Sequence, residues 1–275
     1  MIKRERKDFD LHQISDSGQC FRMRQIGENA YSLIAYGNYL EVSQTEKEVH
    51  FSCSQEEFEE IWKSYFDWDE DYKYIKDSVD KKDAYMQQAV RWGEGIRILR
   101  QELWETLVTF LISQCNNIPR IKKCVESLCT FFGEKKTNFR EESYFAFPTP
   151  RNIASLKDGD LDPCRLGYRK KYILESAKHW IEEEMERQIL EADYEIARKL
   201  LMKLPGVGIK VADCVCLFAL HHIQAFPIDT HIKEILKVHY PEGFPFEKYK
   251  GYAGILQQYA FFYDLKKHKL IENRI

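Results

Sequence analysis

Lys210 stands at the end of the run Leu204-Pro205-Gly206-Val207-Gly208-Ile209-Lys210, and Asp229 follows nineteen residues later. A glycine-bounded turn that feeds straight into a helix presents unpaired backbone N–H groups and a positive dipole end, which together make an anion or phosphate site. An amine held at that positive end is pushed toward its neutral, nucleophilic form. A phosphate grip (Gly206, Gly208), a nucleophile (Lys210) and an acid (Asp229) thus fall within one short stretch of chain. A plain phosphate-binding lysine and an ordinary helix N-cap would use the same two side chains.

The helix behind the turn, 209–220, is apolar on all sides except for Lys210 and Asp213, so it belongs in the centre of the body. An unpaired ammonium is expensive to bury, so Lys210 must sit at the mouth of a cleft, be paired, or be kept partly neutral. Cys214 lies four residues on and shares its face; Asp213 reads as a helix-start charge. Elsewhere the spacing predicts helices over 102–113, 121–132, 151–156, 170–186, 194–203, 230–238 and 252–265, and everything after Gly95 reads as helical. Before it the pattern is strand-like: a hairpin through Gly37-Asn38, a third strand over 48–53, then a helical aromatic stripe from Phe58 to Phe66. The expected class is α+β, an N-terminal antiparallel sheet domain (1–95) followed by an all-helical body (96–275) with a helix-hairpin-helix near 196–220.

Of the 275 residues 44% are hydrophobic and 14% aromatic, which excludes wholesale disorder. The charged start and the absence of a long apolar run predict no secretory leader and no membrane span. Eight scattered cysteines then read as reduced thiols in a cytoplasmic setting. The net charge of −3 is uneven: residues 1–90 carry 12 Lys and Arg against 19 Asp and Glu, residues 91–275 carry 29 against 25. That asymmetry suggests a basic working face, although solvated helix surfaces produce similar runs.

The segment 204–214 with Gln224-Ala-Phe-Pro-Ile-Asp-Thr-His231 resembles the bifunctional 8-oxoguanine DNA glycosylase family. So do Ser17-Gly-Gln-Cys-Phe-Arg22, Leu99-Arg-Gln101, Asn116-Asn-Ile118 with Arg120, Leu166-Gly-Tyr-Arg169, Gln257 and Phe261. The resemblance spans roughly 17–265. It implies excision of oxidised guanine from double-stranded DNA through a Schiff base on Lys210, followed by strand nicking. Asp229 would stabilise positive charge on the sugar. Gly18, Cys214, Gln257 and Phe261 would enclose the extruded base, with the Gly18 carbonyl sensing N7–H and Gln257 the Watson–Crick edge. Tyr168 would wedge into the stack, while Arg120, Arg169, Asn117 and the residue at 115 meet the opposite cytosine. Gly206, Gly208 and His231 would hold phosphates. Taken singly, Gly18 suits any turn, Cys214 any core and His231 any helix start.

The family shows three asparagines before the isoleucine, and here the first is Cys115. This departure implies a relaxed preference for cytosine opposite the lesion. No metal or organic cofactor is implied, and no Cys cluster follows Cys216 to bind an iron–sulfur group. A monomer in a prokaryotic cytoplasm is expected. Two rivals share the motif: a non-catalytic helix-hairpin-helix DNA binder, and a same-fold glycosylase for another damaged base.

Overall fold

A computed structural model describes residues 1–272, with side chains through residue 267. The N-terminal part is a five-stranded antiparallel sheet of β1 (Ile2–Glu5), β2 (Met23–Gly27), β3 (Ala30–Ala35), β4 (Asn38–Gln44) and β5 (Glu48–Phe51), in the order β1-β5-β4-β3-β2. Alternation of Tyr31, Leu33, Ala35 and of Leu40, Val42 turns one face inward. The hairpin turn is Tyr36-Gly37, one residue earlier than its sequence suggests. Both residues have positive φ, and Ala35 pairs with Asn38, the two-residue geometry that matches strand twist. β1 gives no strand signal in the sequence because Lys3 and Arg4 mask an edge strand whose partner, β5, lies some 45 residues away.

The aromatic stripe forms a helix over 55–65 with a π turn at Phe58–Trp62. Phe58, Trp62, Tyr65 and Phe66 are buried against the sheet as its core, together with Phe51 and Leu99. The following helices pack with the helical body instead: Tyr72, Ile75, Met86 and Ala89 join its core, and α1 (Ala84–Trp92) lies along the terminal helix α8 (Ala253–Glu272).

The body contains α2 (Leu103–Ser113), α3 (Ile118–Phe132), α4 (Arg169–Glu182), α5 (Tyr194–Leu201), α6 (Ile209–Phe218) and α7 (Thr230–His239). It is not wholly helical. β6 (Lys135–Thr137) and β7 (Ser143–Phe145) form a small hairpin, invisible in sequence because three residues per strand are too few to show an alternation. α4 ends sooner than expected because Glu184 turns left-handed (φ 48°) and starts a separate helix, Met185–Leu190. α3 starts sooner because Asn117 caps it and Pro119 fits its first turn. No helix among the described residues is long and apolar enough to cross a membrane.

Arg22 ties the two parts together. It is buried, donates to the Phe145 carbonyl, and its Nη1 lies 3.5 Å from Glu105 Oε2 on α2. Burial pushes the Glu105 carboxyl up to about 7, against the pull of Arg22 and with help from Glu102. The folded chain therefore holds a proton there between its ordinary 4.5 and about 7, where the unfolded chain has lost it. By linkage this group's contribution to stability is largest below pH 4.5 and falls as pH rises toward 7. Thermal unfolding of wild type and Glu105→Gln across pH 4.5–7.5 checks this. The variant is expected to lose less stability than wild type over that rise; parallel curves would contradict the assignment.

Candidate active site

Gly206 has φ 76°, and a Cβ there would sit 2.4 Å from the Tyr172 ring of α4. Glycine is thus required twice, by backbone conformation and by close approach. Gly208 is the N-cap of α6 with open space around it, so the first amides of α6 face solvent. α5, this turn and α6 form the expected helix-hairpin-helix. Gln114 Nε2 donates to the Gly206 carbonyl at 3.1 Å and fixes the hairpin to the end of α2.

Lys210 emerges from the first turn of α6, half-buried. Its Nζ lies 5.0 Å from the centre of the Phe110 ring, a cation–π distance, and it has no carboxylate partner among the described residues. Its charge acts on the Cys214 thiol one turn on, which shares its face of the helix. Burial raises the Cys214 thiol to about 11 despite the nearby amine. A thiol that stays protonated is a wall and not a rival nucleophile. Asp229 caps α7, accepting from Ile232 N at 2.8 Å. Its charge is felt at Cys214, so the capping carboxylate also faces the Lys210 cleft.

Ser17, Gly18, Phe110, Lys210, Cys214, Pro227, Asp229, Gln257 and Phe261 line one cavity of about 50 Å³. That is room for a few waters and not for a purine. The reason is Phe261: a Cβ on Gly18 would lie 3.1 Å from its ring, so the ring rests close over the glycine. His231 meets Phe261 edge-on (5.7 Å) and its Nδ1 lies 3.3 Å from Asp264. Gln257 donates to the Pro227 carbonyl at 3.1 Å, while its buried Oε1 has no partner. An orphaned buried acceptor facing a cavity marks where a ligand donor is missing.

Gly18 is held there by side chains to which the sequence motifs alone assign no role. Gln258 donates to the Ser17 carbonyl. Gln19 donates to the Arg97 carbonyl and accepts from Leu99 N at 2.8 Å. Gln101 then links the Gln19 carbonyl, 2.8 Å, to the end of α6 through its own N–H on Phe218 O, 2.7 Å. Sheet side and lysine helix are thereby registered to one another. Phe110 and Phe218, stacked 5.5 Å apart, were legible only as core. Asp213 is a correction: it is buried and accepts from the Tyr194 hydroxyl at 2.9 Å, with Arg198 at 3.8 Å. It clamps α5 to α6 and is no helix-start charge.

A second cluster lies outside the cavity. Tyr168 is 53% exposed. Arg169 differs from expectation: it is buried under the Tyr168 ring, its guanidinium 4.6 Å away, and donates to the carbonyls of Gln114, Cys115 and Leu166. In this state it props up the 114–117 loop and does not face outward. Asn117 accepts from Arg120 N as the cap of α3, Asn116 braces the loop on Ile112 O, and the Arg120 side chain extends free into solvent. Cys115 is exposed and left-handed (φ 46°), a conformation asparagine tolerates better than cysteine. It also raises the Tyr168 hydroxyl, after burial the larger influence.

Residues 1–107 match the model of the 8-oxoguanine DNA glycosylase N-terminal domain, and residues 108–243 match that of the HhH-GPD superfamily base excision DNA repair proteins. A solved 8-oxoguanine glycosylase/lyase from Clostridium acetobutylicum, in complex with double-stranded DNA containing cytosine opposite 8-oxoG, is 31% identical. It aligns over 98% of this chain and 99% of its own, with a TM-score of 0.89. The protein MBOgg1, solved with a low-affinity DNA ligand, is 34% identical over 98% of this chain and 100% of its own, TM-score 0.90. The chain belongs to the 8-oxoguanine DNA glycosylase family. The N-glycosylase/DNA lyase of Saccharomyces cerevisiae is 38% identical over 64% of this chain, a match that spans half of the yeast protein. The α+β class and the sheet-then-helices order expected from sequence are those of this family.

Proposed function

We propose that the protein excises 8-oxoguanine from double-stranded DNA and nicks the strand at the resulting site. The observation that carries this reading is Lys210, unpaired by any carboxylate among the described residues, at the mouth of a cavity that also holds Asp229 and the orphaned Gln257 acceptor. The cavity must enlarge for the base to enter, and Phe261 is the group in the way; moved aside, its ring becomes a stacking face opposite Cys214. Gln257 Oε1 then accepts from the Watson–Crick edge, and the Gly18 carbonyl from N7–H, which guanine lacks.

Lys210 Nζ, as the free amine, attacks C1′. Its N–C bond forms as the glycosidic bond breaks, and the electron pair leaves with the base, which takes up a proton. Asp229 stabilises the positive charge that develops on the sugar. Opening of the sugar ring gives an imine; loss of a C2′ proton then expels the 3′ phosphate, and water releases the lysine. The amides following Gly206 and Gly208, with His231, hold the flanking phosphates, and Tyr168 fills the vacated stack with Arg120 and Arg169 turned to the orphaned base. Arg169 must exchange its loop carbonyls for that base. In this reading residues 1–95 supply Gly18 and residues 96–275 the rest. The protein acts as a monomer without a cofactor, and we place it in a prokaryotic cytoplasm.

Single-turnover release of free base from duplexes carrying 8-oxoguanine or guanine tests the proposal. Release from the first and not the second is expected; release of neither, or of an alkylated base instead, would sink it. A binder without chemistry would need neither the cavity nor the orphaned acceptor.

Cys115 in place of asparagine supports relaxed pairing. Wild type is expected to excise 8-oxoguanine opposite other bases within about tenfold of the rate opposite cytosine, a gap of about 1.4 kcal/mol. Cys115→Asn is expected to widen the gap in favour of cytosine. Sharp rejection of other partners by wild type would contradict this.

A further inference from the structure

Along one side of α3 runs an open groove of about 900 Å³ whose walls include Arg24 from β2, Arg120, Lys122 and Lys123 from α3, Arg165 from the loop before α4, and an exposed Phe131. Among the described residues Arg120, Lys122, Lys123 and Arg165 have no carboxylate partner. Arg24 reaches Glu126, the one acidic residue of the lining, at 3.8 Å. Other basic side chains, such as Lys3, Lys73 and Arg187, are held in surface ion pairs, whereas here four unpaired cations converge on one groove with a single carboxylate in its walls. Arg165 is held in a left-handed conformation (φ 54°), and its carbonyl accepts from Cys124, which fixes it beside the helix. The groove is continuous with the second cluster described above, because Asn117 and Arg120 line both.

We infer that this groove holds the phosphate backbone of the undamaged strand as it leaves the base opposite the lesion. The inference rests on the proposed function and extends it: the hairpin grips one strand, and α3 with Arg165 grips the other. A polyanion of regular spacing suits Arg120 and Lys123, one turn apart on α3, with Arg165 beside them, and the groove begins where the opposite base is met. The contacts read charge only, so they add affinity and salt dependence without sequence preference.

The test compares wild type with the double variant Lys123→Gln/Arg165→Gln on a duplex carrying an uncleavable 2′-fluoro analogue of the 8-oxoguanosine nucleotide. Three forms of the duplex are used: native, with neutral methylphosphonate linkages in the lesion strand, and with the same linkages in the complementary strand. On the native duplex the variant is expected to bind roughly tenfold more weakly, with a salt slope lower by about 1.8 for two lost phosphate contacts. Neutralising the complementary strand should abolish the difference between the proteins; neutralising the lesion strand should leave it. Lys123→Arg/Arg165→Lys is expected to bind as wild type, separating lost charge from lost folding. Equal binding and slopes on the native duplex, as a groove for an acidic protein would give, overturns the inference. So does a difference that survives complementary-strand neutralisation. Base release by wild type is measured in parallel and speaks only to the glycosylase reading.

Discussion

Lys210→Gln is expected to abolish base release from an 8-oxoguanine duplex, by at least about 10³-fold in single-turnover rate, or about 4 kcal/mol of barrier. Glutamine keeps the length of the side chain and a polar end on the first turn of α6, but its amide nitrogen cannot form an imine. The cavity is built around that one atom: the aromatic face of Phe110 on one side, the Cys214 thiol one turn on, and the Asp229 carboxylate across the cleft. Cys214 cannot substitute, because burial keeps it protonated. Binding of lesion DNA should change by less than about tenfold, since one phosphate-range charge is lost while the hairpin amides remain. A large loss of rate with binding retained is the signature of a nucleophile. If the variant kept its excision rate, water activated at Asp229 would be the nucleophile and the lysine only a charge.

Gly206→Ala should be the most disruptive single change at the DNA-gripping hairpin. The substituted residue would have to hold φ 76° and place its Cβ 2.4 Å from Tyr172. A left-handed alanine costs about 1 kcal/mol and the overlap adds more, because the atoms met belong to a ring on α4 that itself packs beneath Tyr168. A total near 2–4 kcal/mol is expected in chemical denaturation, together with weaker DNA binding. Relief by displacement would move Tyr172 and hence Tyr168, which it touches, and it would break the Gln114 bond to Gly206. The double variant Gly206→Ala/Tyr172→Ala should recover part of the binding by removing the overlap. Unchanged stability in the single variant would show that the hairpin relaxes freely.

The parts of the site legible in sequence are those whose chemistry is local. The Gly-bounded turn, the all-apolar α6, the i to i+4 pairing of Lys210 with Cys214 and the cap at Asp229 follow from helix geometry. What sequence could not supply is set by partners far along the chain. β1 needs β5 to become a strand. Gln258 and Gln19 look like any polar residues until they fix Ser17 to Gln19 beside the cavity. Asp213 reads as a helix-start charge until Tyr194 folds over it. Arg169 is the sharpest case: its type and position suggest an outward-facing reader of bases. Only the packing reveals it buried under Tyr168, spending its donors on the loop that carries Cys115. The β6–β7 hairpin is hidden for a different reason, since three-residue strands are too short to carry a periodic apolar signal.

The central claim, that Lys210 is a covalent nucleophile, is tested most directly by borohydride reduction of wild type mixed with an 8-oxoguanine duplex. A covalent protein–DNA adduct is expected, with the modification mapped by peptide mass to Lys210. Free base released with no adduct, or an adduct on any other residue, would contradict the account.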